Sequence, residues 1–263
     1  MPDTVPEIGH GPLLQIDGIT KRFGGVTASD TITLAVPPGE LHAIIGPNGA
    51  GKTTLIGQLT GEVVPDAGRI RFAGADITRL PAYRRSLMGL ARSFQITSLF
   101  LDFTALDNVA LAVQAHAGHS FRFWGRARDE AALRQPARKA LARVGLAERA
   151  DTVVANMSHG EHRQLEIAMA LATAPRMLLL DEPMAGMGPE ESLRIVALLR
   201  ELKGELTILL VEHDMEAVFA LADRITVLVY GRVIASDTPA AVRANAEVRQ
   251  AYLGEQEAVT GHG

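Results

Sequence analysis

The stretch Gly46–Thr54 carries the residue types of a phosphate-binding loop. Its letters, GPNGAGKTT, match the pattern G-x-x-x-x-G-K-[ST] after a short apolar run and before a predicted helix. Glycines let the backbone curl so that successive N–H groups point at phosphate oxygens, and the helix N-terminus favours the same anion. Lys52 supplies positive charge to the β- and γ-phosphates, and Thr53 offers its hydroxyl to Mg²⁺. A plain glycine-rich turn needs no lysine followed by a threonine. The predicted nucleotide-binding residues here are Gly46, Pro47, Asn48, Gly49, Ala50, Gly51, Lys52, Thr53 and Thr54.

A second apolar run, MLLLDEP, ends in two adjacent carboxylates, Asp181 and Glu182. In an open parallel sheet, ligands bind at the carboxyl ends of the strands. Asp181 fits the carboxylate that holds Mg²⁺ in phosphate-loop enzymes. Glu182 is one residue further, so its side chain points elsewhere and can accept a proton from a water that attacks the γ-phosphate. The alternative is an ordinary carboxylate pair at a helix start, which the phosphate loop in the same chain disfavours.

Three further side chains are candidates to complete such a site. His213 follows the apolar run TILLVE, so it also lies at a strand end and can contact the γ-phosphate. Gln95 offers an amide oxygen to Mg²⁺ or to the attacking water. Phe23 precedes two glycines and can stack on a nucleotide base. Each has a structural alternative, because a lone histidine is more often structural and Phe23 alone would be a half-buried strand aromatic.

The segment MSHGEHRQ, from Met157 to Gln164, admits three interpretations. A serine beside a histidine suggests a nucleophile with its base, but adjacent residues at a helix start are poorly placed to share a proton. His159 and His162 have the spacing of metal ligands on a helix, but no third ligand accompanies them. Ser158 and Glu161 have the spacing of a capping box. We favour the cap, because a capped helix N-terminus next to Gly160 can bind an anion.

Strands separated by helices must position these residues. Residues 13–23 and 31–36 alternate apolar and polar side chains, which predicts half-buried antiparallel strands. The continuous apolar runs at residues 41–45, 177–180 and 207–211 predict buried parallel strands, and RITVLVY with GRVIAS predicts a hairpin. The stretch from about Tyr83 to Ala155 is helical in character, and Pro136 is expected to start or kink a helix rather than lie inside one. The fold class is therefore α/β with a helical insertion.

Composition excludes several classes of protein. The chain has 263 residues, no cysteine and a formal net charge of −4. No disulfide framework, thiolate zinc site or cysteine nucleophile is available, and no global basic field points to nucleic acid. The N-terminus lacks the pattern of a signal peptide, and no apolar run approaches the roughly 20 residues that span a bilayer. The sequence predicts a cytoplasmic protein whose membrane role would come through a partner.

Taken in order, these motifs resemble the ATP-binding cassette of ABC transporters over nearly the whole chain. Phe23 corresponds to the family's A-loop, Gly46–Thr54 to Walker A, Gln95 to the Q-loop, Met157–Glu161 to the signature loop, MLLLDEP to Walker B and His213 to the switch histidine. The resemblance implies a phosphate-loop NTPase fold with a RecA-like parallel core, an antiparallel β subdomain and an inserted helical subdomain. It implies a single domain at 13–254, with the core at 13–95 and 175–254, the helical subdomain at 96–174, and flexible ends at 1–12 and 255–263.

The resemblance also implies cofactors, partners and roles. ATP and Mg²⁺ would bind with Thr53, Gln95 and Asp181 on the metal and with Glu182 and His213 as catalytic residues. A second cassette, identical or paralogous, would pair head to tail, so that Ser158, His159, Gly160 and Glu161 of one chain meet the γ-phosphate held by the other. Integral membrane permeases would contact the helical subdomain, and a periplasmic solute-binding protein would act indirectly. The implied location is the inner face of the bacterial plasma membrane.

Two departures and several local cues refine the resemblance. The signature is MSHGE instead of Leu-Ser-Gly-Gly-Gln, and the D-loop MAGMG (Met184–Gly188) lacks its usual aspartate. The segments SHGE, DEPMAGMGPEE, VEHDMEAV and VRQAYLGE are similar to cassettes of importers for branched-chain amino acids, urea, short amides or aromatic acids. A GTPase is excluded because no Asn-Lys-x-Asp motif is present. A soluble ABC ATPase outside transport is the main alternative, and a catalytically inactive regulator is disfavoured by Glu182 and His213.

Overall fold

The computed structural model describes residues 11–93, 99–116 and 131–251. Its strands, in chain order, are β1 (Leu14–Phe23), β2 (Val26–Val36), β3 (Leu41–Ile45), β4 (Ala67–Phe72), β5 (Ala75–Asp76), β6 (Leu90–Arg92), β7 (Met177–Asp181), β8 (Thr207–Val211), β9 (Arg224–Val229) and β10 (Arg232–Asp237). Its α-helices are α1 (Lys52–Thr60), α2 (Ala82–Leu87), α3 (Ala105–His116), α4 (Ala131–Arg143), α5 (His159–Leu171), α6 (Pro189–Leu202), α7 (Met215–Leu221) and α8 (Pro239–Ala244).

The chain divides into two compact units. The first is built from the chain up to Ala82 together with the chain from Ala222 onward, and the second spans Tyr83–Leu221. The division predicted from the sequence, with a helical subdomain at 96–174, stays a prediction. Of the predicted flexible ends, the tail 255–263 lies outside the described residues, as does the segment 1–12 except for its last two residues.

The first unit contains an antiparallel sheet with the strand order β2-β1-β4-β5. Both predicted strands of the β1–β2 hairpin are present, but β2 begins at Val26, five residues before the predicted start at 31. Thr31 adopts a positive φ of 57° and the pairing register shifts beside it. This irregularity interrupts the alternation of polar and apolar residues, which is why the pattern showed only the later half of the strand.

The first unit also contains the strand that precedes the phosphate loop. All five residues of β3 are buried, and β3 pairs in parallel with β9 from His42↔Arg224 to Ile45↔Val227. β10 pairs antiparallel with β9, as the hairpin prediction required. A short, continuous apolar strand is typical of a parallel sheet that is covered on both faces.

The second unit contains the parallel strands β6, β7 and β8, in that spatial order. Every residue of β7 and β8 is buried. Helices α3 and α4 pack against each other, and both pack against α5. Among the described residues, no helix combines the length and apolar character needed to cross a bilayer.

Two expectations about residues 83–155 are wrong. The stretch is not helical throughout, because β6 lies within it and pairs with β7 through Leu90↔Met177. Three residues are too few to show a strand pattern of their own. Pro136 lies inside α4 and does not start it. Its missing N–H removes one helical hydrogen bond, and burial of Leu133, Ala137 and Leu141 on the same helix offsets that loss.

Candidate active site

The phosphate loop of the first unit links β3 to α1, and its glycines are required by the backbone around them. Gly51 precedes α1 with φ 101°, a left-handed conformation. A Cβ at Gly51 would overlap the carbonyl oxygen of Ala28, and a Cβ at Gly46 would overlap that of Leu228. Gly49 has φ 76° but faces open space. Close packing against main-chain carbonyl oxygens therefore requires glycine at positions 46 and 51, whereas at Gly49 only the backbone conformation favours it.

Lys52 holds its ammonium inside this loop. The side chain is buried, and Nζ donates hydrogen bonds to the Gly46 carbonyl at 2.6 Å and the Pro47 carbonyl at 3.0 Å. The loop is closed further by the Ala50 N–H, which donates to the same Pro47 carbonyl at 3.1 Å. Thr53 is exposed in the first turn of α1, next to Lys52. A positive charge and an exposed hydroxyl at a helix start provide the groups that bind a polyphosphate and its Mg²⁺.

Phe23 also lies in the first unit, at the exposed end of β1. Its side chain is 51% exposed. Lys21 places Nζ 5.4 Å from the ring centroid, and the same ammonium pairs with Asp66 at 2.8 Å. The ring is thus free of core packing and can present a face to an aromatic base, although base binding by Phe23 stays a prediction.

In the second unit, the structure brings Asp181, Glu182 and His213 to the carboxyl ends of β7 and β8. Asp181 is the last residue of β7 and pairs in register with Val211 of β8. His213 Nε2 lies 2.5 Å from Glu182 Oε1. Glu182 has a positive φ of 50°, so the chain turns at this residue, directly after the end of β7. A carboxylate hydrogen-bonded to an imidazole is a suitable acceptor for the proton of a water molecule.

Asp181 is buried and forms an ion pair with Arg92 of β6, whose guanidinium lies 3.2 Å from Oδ2. The donor chemistry of Asp181 and Thr53 fits Mg²⁺, which prefers oxygen ligands. In the part of the chain that the structure describes, no three histidine, aspartate or glutamate side chains cluster as a metal site. Gln95, the third predicted ligand, lies outside the described residues.

Glu212 is a residue of this site that the sequence did not reveal. Its side chain is 4% exposed and accepts hydrogen bonds from the Met184 N–H and the His213 N–H, each at 2.9 Å. Burial raises the pKa of the Glu212 carboxyl, and the backbone donors act in the opposite direction. The only signal in the sequence was a glutamate directly after a fully apolar strand, in a position where a buried charge requires donors.

The segment MSHGE starts helix α5 as the capping pattern predicted. Ser158 Oγ accepts a hydrogen bond from the Glu161 N–H at 3.2 Å, and Glu161 Oε2 accepts one from the Ser158 N–H at 2.8 Å. Arg149 pairs with the same Glu161 carboxylate at 2.7 Å. Burial raises the pKa of Glu161, but the Ser158 N–H and the Arg149 guanidinium outweigh it and lower the pKa overall.

The two histidines of this segment contact separate backbone groups. His162 Nε2 lies 2.8 Å from the Val154 carbonyl oxygen, and His159 Nε2 lies 3.4 Å from that of Ala185. The His159 imidazole therefore contacts the loop between β7 and α6. The His162 imidazole contacts a different backbone carbonyl, that of Val154.

Glu191, in the first turn of α6, is a second residue that the sequence did not reveal. Ser158 Oγ donates a hydrogen bond to Glu191 Oε1 at 3.3 Å. A Cβ at Gly160 would overlap the same carboxylate, so the Gly160 backbone lies directly against it. The second Glu191 oxygen accepts from the Gly188 N–H at 3.3 Å. A carboxylate thus lies against Ser158 and Gly160, two of the four signature residues that were predicted to meet a phosphate.

Comparison with known proteins assigns the chain to a family. A family model for ABC transporters matches residues 29–185, and a model for the branched-chain amino acid ATP-binding cassette transporter matches residues 232–258. The chain is 39% identical over 251 residues to the high-affinity branched-chain amino acid transport ATP-binding protein BraF of Pseudomonas aeruginosa, with 93% of this chain and 98% of BraF covered. It is 40% identical over 256 residues to LivG, the corresponding protein of Escherichia coli, with the same shares covered.

Solved structures agree with this assignment. A nucleotide-free ATP-binding cassette from an ABC transporter superposes with a TM-score of 0.80 at 29% identity, over 91% of this chain and 98% of that one. An ATP-binding cassette in its ADP conformation superposes with a TM-score of 0.82 at 30% identity, over 92% and 98%. The phosphate loop, the acidic strand end and the capped signature helix are thus parts of one known type of protein: the chain belongs to the ABC transporter family and is an ATP-binding cassette.

Proposed function

We propose that this chain is the ATP-hydrolysing subunit of a bacterial importer for branched-chain amino acids or a chemically related small solute. The observation that carries the hydrolytic part is the Glu182 carboxylate, held at a strand end by His213. The importer part is supported by the names of the relatives, BraF and LivG, and by the match of residues 232–258 to the branched-chain amino acid cassette model.

Each site residue has a role in the proposed reaction. Lys52 and the loop N–H groups bind the phosphates, and Thr53 and Asp181 hold Mg²⁺, which neutralises charge on the phosphoryl group when it is bound. Glu182 accepts the proton of the attacking water, and His213 orients the Glu182 carboxylate and contacts the γ-phosphate. Gln95 adds an amide oxygen for Mg²⁺, and Phe23 stacks on the base.

The signature residues serve a second cassette in this proposal. Ser158 and Gly160, at the capped start of α5, contact the γ-phosphate that the partner cassette holds, so that ATP favours the closed pair. The pair works on integral membrane permeases at the inner face of the membrane, and a periplasmic solute-binding protein delivers the solute. In this proposal those partners set the identity of the solute, because every role assigned to this chain's site residues concerns ATP and Mg²⁺.

Glu182→Gln tests the hydrolytic role. The amide cannot accept the water's proton, so we expect steady-state ATP turnover to fall by roughly 10²–10⁴-fold, the usual contribution of a general base, while calorimetry shows retained ATP binding. The measurement uses the cassette purified with its membrane partners. Glu216→Gln is the matched control, because Glu216 is exposed in the first turn of α7. Normal turnover in the Glu182 variant would rule out this role.

A solute-stimulation assay tests the importer role. The assembled transporter, reconstituted in vesicles with its binding protein, is expected to hydrolyse ATP faster with leucine, isoleucine or valine than with urea, a short amide or an aromatic acid. Stimulation by only urea, a short amide or an aromatic acid would show that the importer carries that solute instead of a branched-chain amino acid. Failure to co-purify with any polytopic membrane protein would favour a soluble ABC ATPase.

A further inference from the structure

Three consecutive residues at the end of β8, Val211, Glu212 and His213, hold the turn that contains Glu182. The Val211 carbonyl accepts a hydrogen bond from the Glu182 N–H at 2.8 Å. The Glu212 carboxylate accepts one from the Met184 N–H, and His213 contacts the Glu182 side chain itself. The direction of the Glu182 carboxylate therefore depends on contacts from a segment that lies about thirty residues further along the chain.

The turn needs such support because its backbone is strained. Glu182 is a non-glycine residue at φ 50°, and a left-handed conformation costs an L-residue about 1–2 kcal/mol. Strain of this kind persists only where the surrounding structure over-determines it. The Ala185 N–H donates to the Glu182 carbonyl at 3.1 Å and closes the turn from within, and the Glu212 side chain ties its middle, at Met184, to the end of β8.

Glu212 also holds the other half of the catalytic pair. Its Oε2 accepts hydrogen bonds from the His213 N–H at 2.9 Å and the Asp214 N–H at 3.5 Å. One buried carboxylate thus connects the turn that carries Glu182 with the residue that carries the imidazole. An amide in its place would bring an NH₂ donor towards backbone N–H donors, and at least one buried donor would lose its acceptor.

We propose that Glu212 is a positioning residue for ATP hydrolysis, which fixes the Glu182 carboxylate and the His213 imidazole relative to each other. The inference rests on the proposed role of Glu182 as the general base. It assigns no contact between Glu212 and ATP: the carboxylate acts through the Met184 and His213 amides.

Glu212→Gln is the direct test, with Glu216→Gln as the matched surface control. A misplacement of the base by about 1 Å can cost roughly 10²-fold in rate, so we expect kcat to fall by about 10- to 100-fold. The KM for ATP and the calorimetric ATP affinity should stay near those of the control, because Glu212 has no contact with the phosphate loop in this proposal. Amide hydrogen exchange should accelerate in peptides covering Glu182–Ala185 and His213, and stay unchanged in peptides covering α1.

A double-mutant cycle with Glu182→Gln separates positioning from general stability. If Glu212 acts through Glu182, adding Glu212→Gln to Glu182→Gln should change the residual turnover far less than it changes the wild-type turnover. Glu212→Asp keeps the charge on a shorter side chain, and its kcat should lie between wild type and Glu212→Gln. Each outcome that follows this pattern supports the proposal.

Three results would overturn it. A normal kcat in Glu212→Gln would do so, as would fully additive losses in the cycle, or accelerated exchange that extends equally to α1 and marks Glu212 as a general stability residue. Normal turnover in Glu182→Gln alone would instead refute the proposed role of Glu182 as general base. The two failures are thus distinguished by different variants.

Discussion

The phosphate loop and the signature segment both start helices and are both proposed to bind phosphate, yet they are held in different ways. The phosphate loop is fixed by its backbone: Gly46 and Gly51 lie against main-chain carbonyl oxygens that cannot move aside, and Lys52 donates to two carbonyls of its own loop. A loop of this kind excludes side chains at those positions.

The signature segment is fixed by side chains. Ser158 and Glu161 cap α5 reciprocally, Arg149 holds Glu161, and the neighbour of Gly160 is the flexible Glu191 carboxylate. Side chains of this kind can adjust to a substitution, whereas main-chain carbonyls cannot. His159 stands where the family usually has glycine, and its imidazole lies with Nε2 3.4 Å from the Ala185 carbonyl oxygen.

Among the variants that compare the two segments, the largest effect is expected for Gly51→Ala, and it is an effect on ATP binding. The new Cβ would overlap the Ala28 carbonyl, and φ 101° is unfavourable for alanine. The left-handed strain alone costs about 1–2 kcal/mol, and the overlap adds to it, so the loop is expected to shift away from the conformation that presents its N–H groups to phosphate. Gly49→Ala is the matched control, with the strain of φ 76° but open space. We expect calorimetry to show weaker ATP binding for Gly51→Ala than for Gly49→Ala, and equal affinities would contradict a role for the overlap.

A smaller effect, on the free energy of unfolding, is expected for Ser158→Ala. Loss of the cap should lower the free energy of unfolding by about 1 kcal/mol, as for other serine caps, and it also removes the hydrogen bond to Glu191. Urea denaturation measures the change. Ser192→Ala on α6 is the control, because Ser192 lies within a helix rather than at its cap. The ATP affinity of the isolated cassette, measured without a partner cassette whose nucleotide Ser158 would contact, should stay unchanged, and a loss of that affinity would contradict a phosphate loop fixed by its own backbone.

The pH dependence of stability tests the other half of the cap. The folded pKa of Glu161 lies below its ordinary value of 4.5, so the contribution of Glu161 is fully present above about pH 4.5 and is lost as the pH falls through the lower folded pKa. Glu161→Gln should therefore be less stable than wild type at neutral pH, and the difference should shrink below pH 4.5. A difference that stays constant from neutral pH to pH 3 would contradict the ionised cap.

The smallest effect on stability is expected for Gly160→Ala. The new Cβ would meet only the end of the Glu191 side chain, which can swing away, and alanine favours the helix by up to about 1 kcal/mol over glycine. We expect the urea midpoint to change little or to rise. A loss of more than about 2 kcal/mol, the range of core defects, would show that the signature segment is as rigid as the phosphate loop and would remove the contrast between them.

Much of the fold followed from local patterns. The strand at Leu41–Ile45 has the predicted bounds, because a short continuous apolar run is typical of a buried parallel strand. Three features did not follow from local patterns. The early half of β2 was missed because an irregularity in its pairing interrupts the alternation of residues, and β6 was missed because three residues show no pattern of their own. Pro136 lies inside α4 because packing of the helix outweighs the hydrogen bond that proline removes.

The sequence by itself determined the chemistry of this protein: a glycine-rich loop with Lys52 and Thr53, carboxylates at Asp181 and Glu182, and a serine cap at α5. These motifs are local, and their residue types and spacing suffice to identify them. Only the tertiary structure decided what holds those groups in place. The Glu212 carboxylate reaches Met184 across 28 residues, and Glu191 reaches Ser158 across 33. Hydrogen bonds between residues so far apart depend on how strands and helices pack, and no periodicity in the chain encodes them.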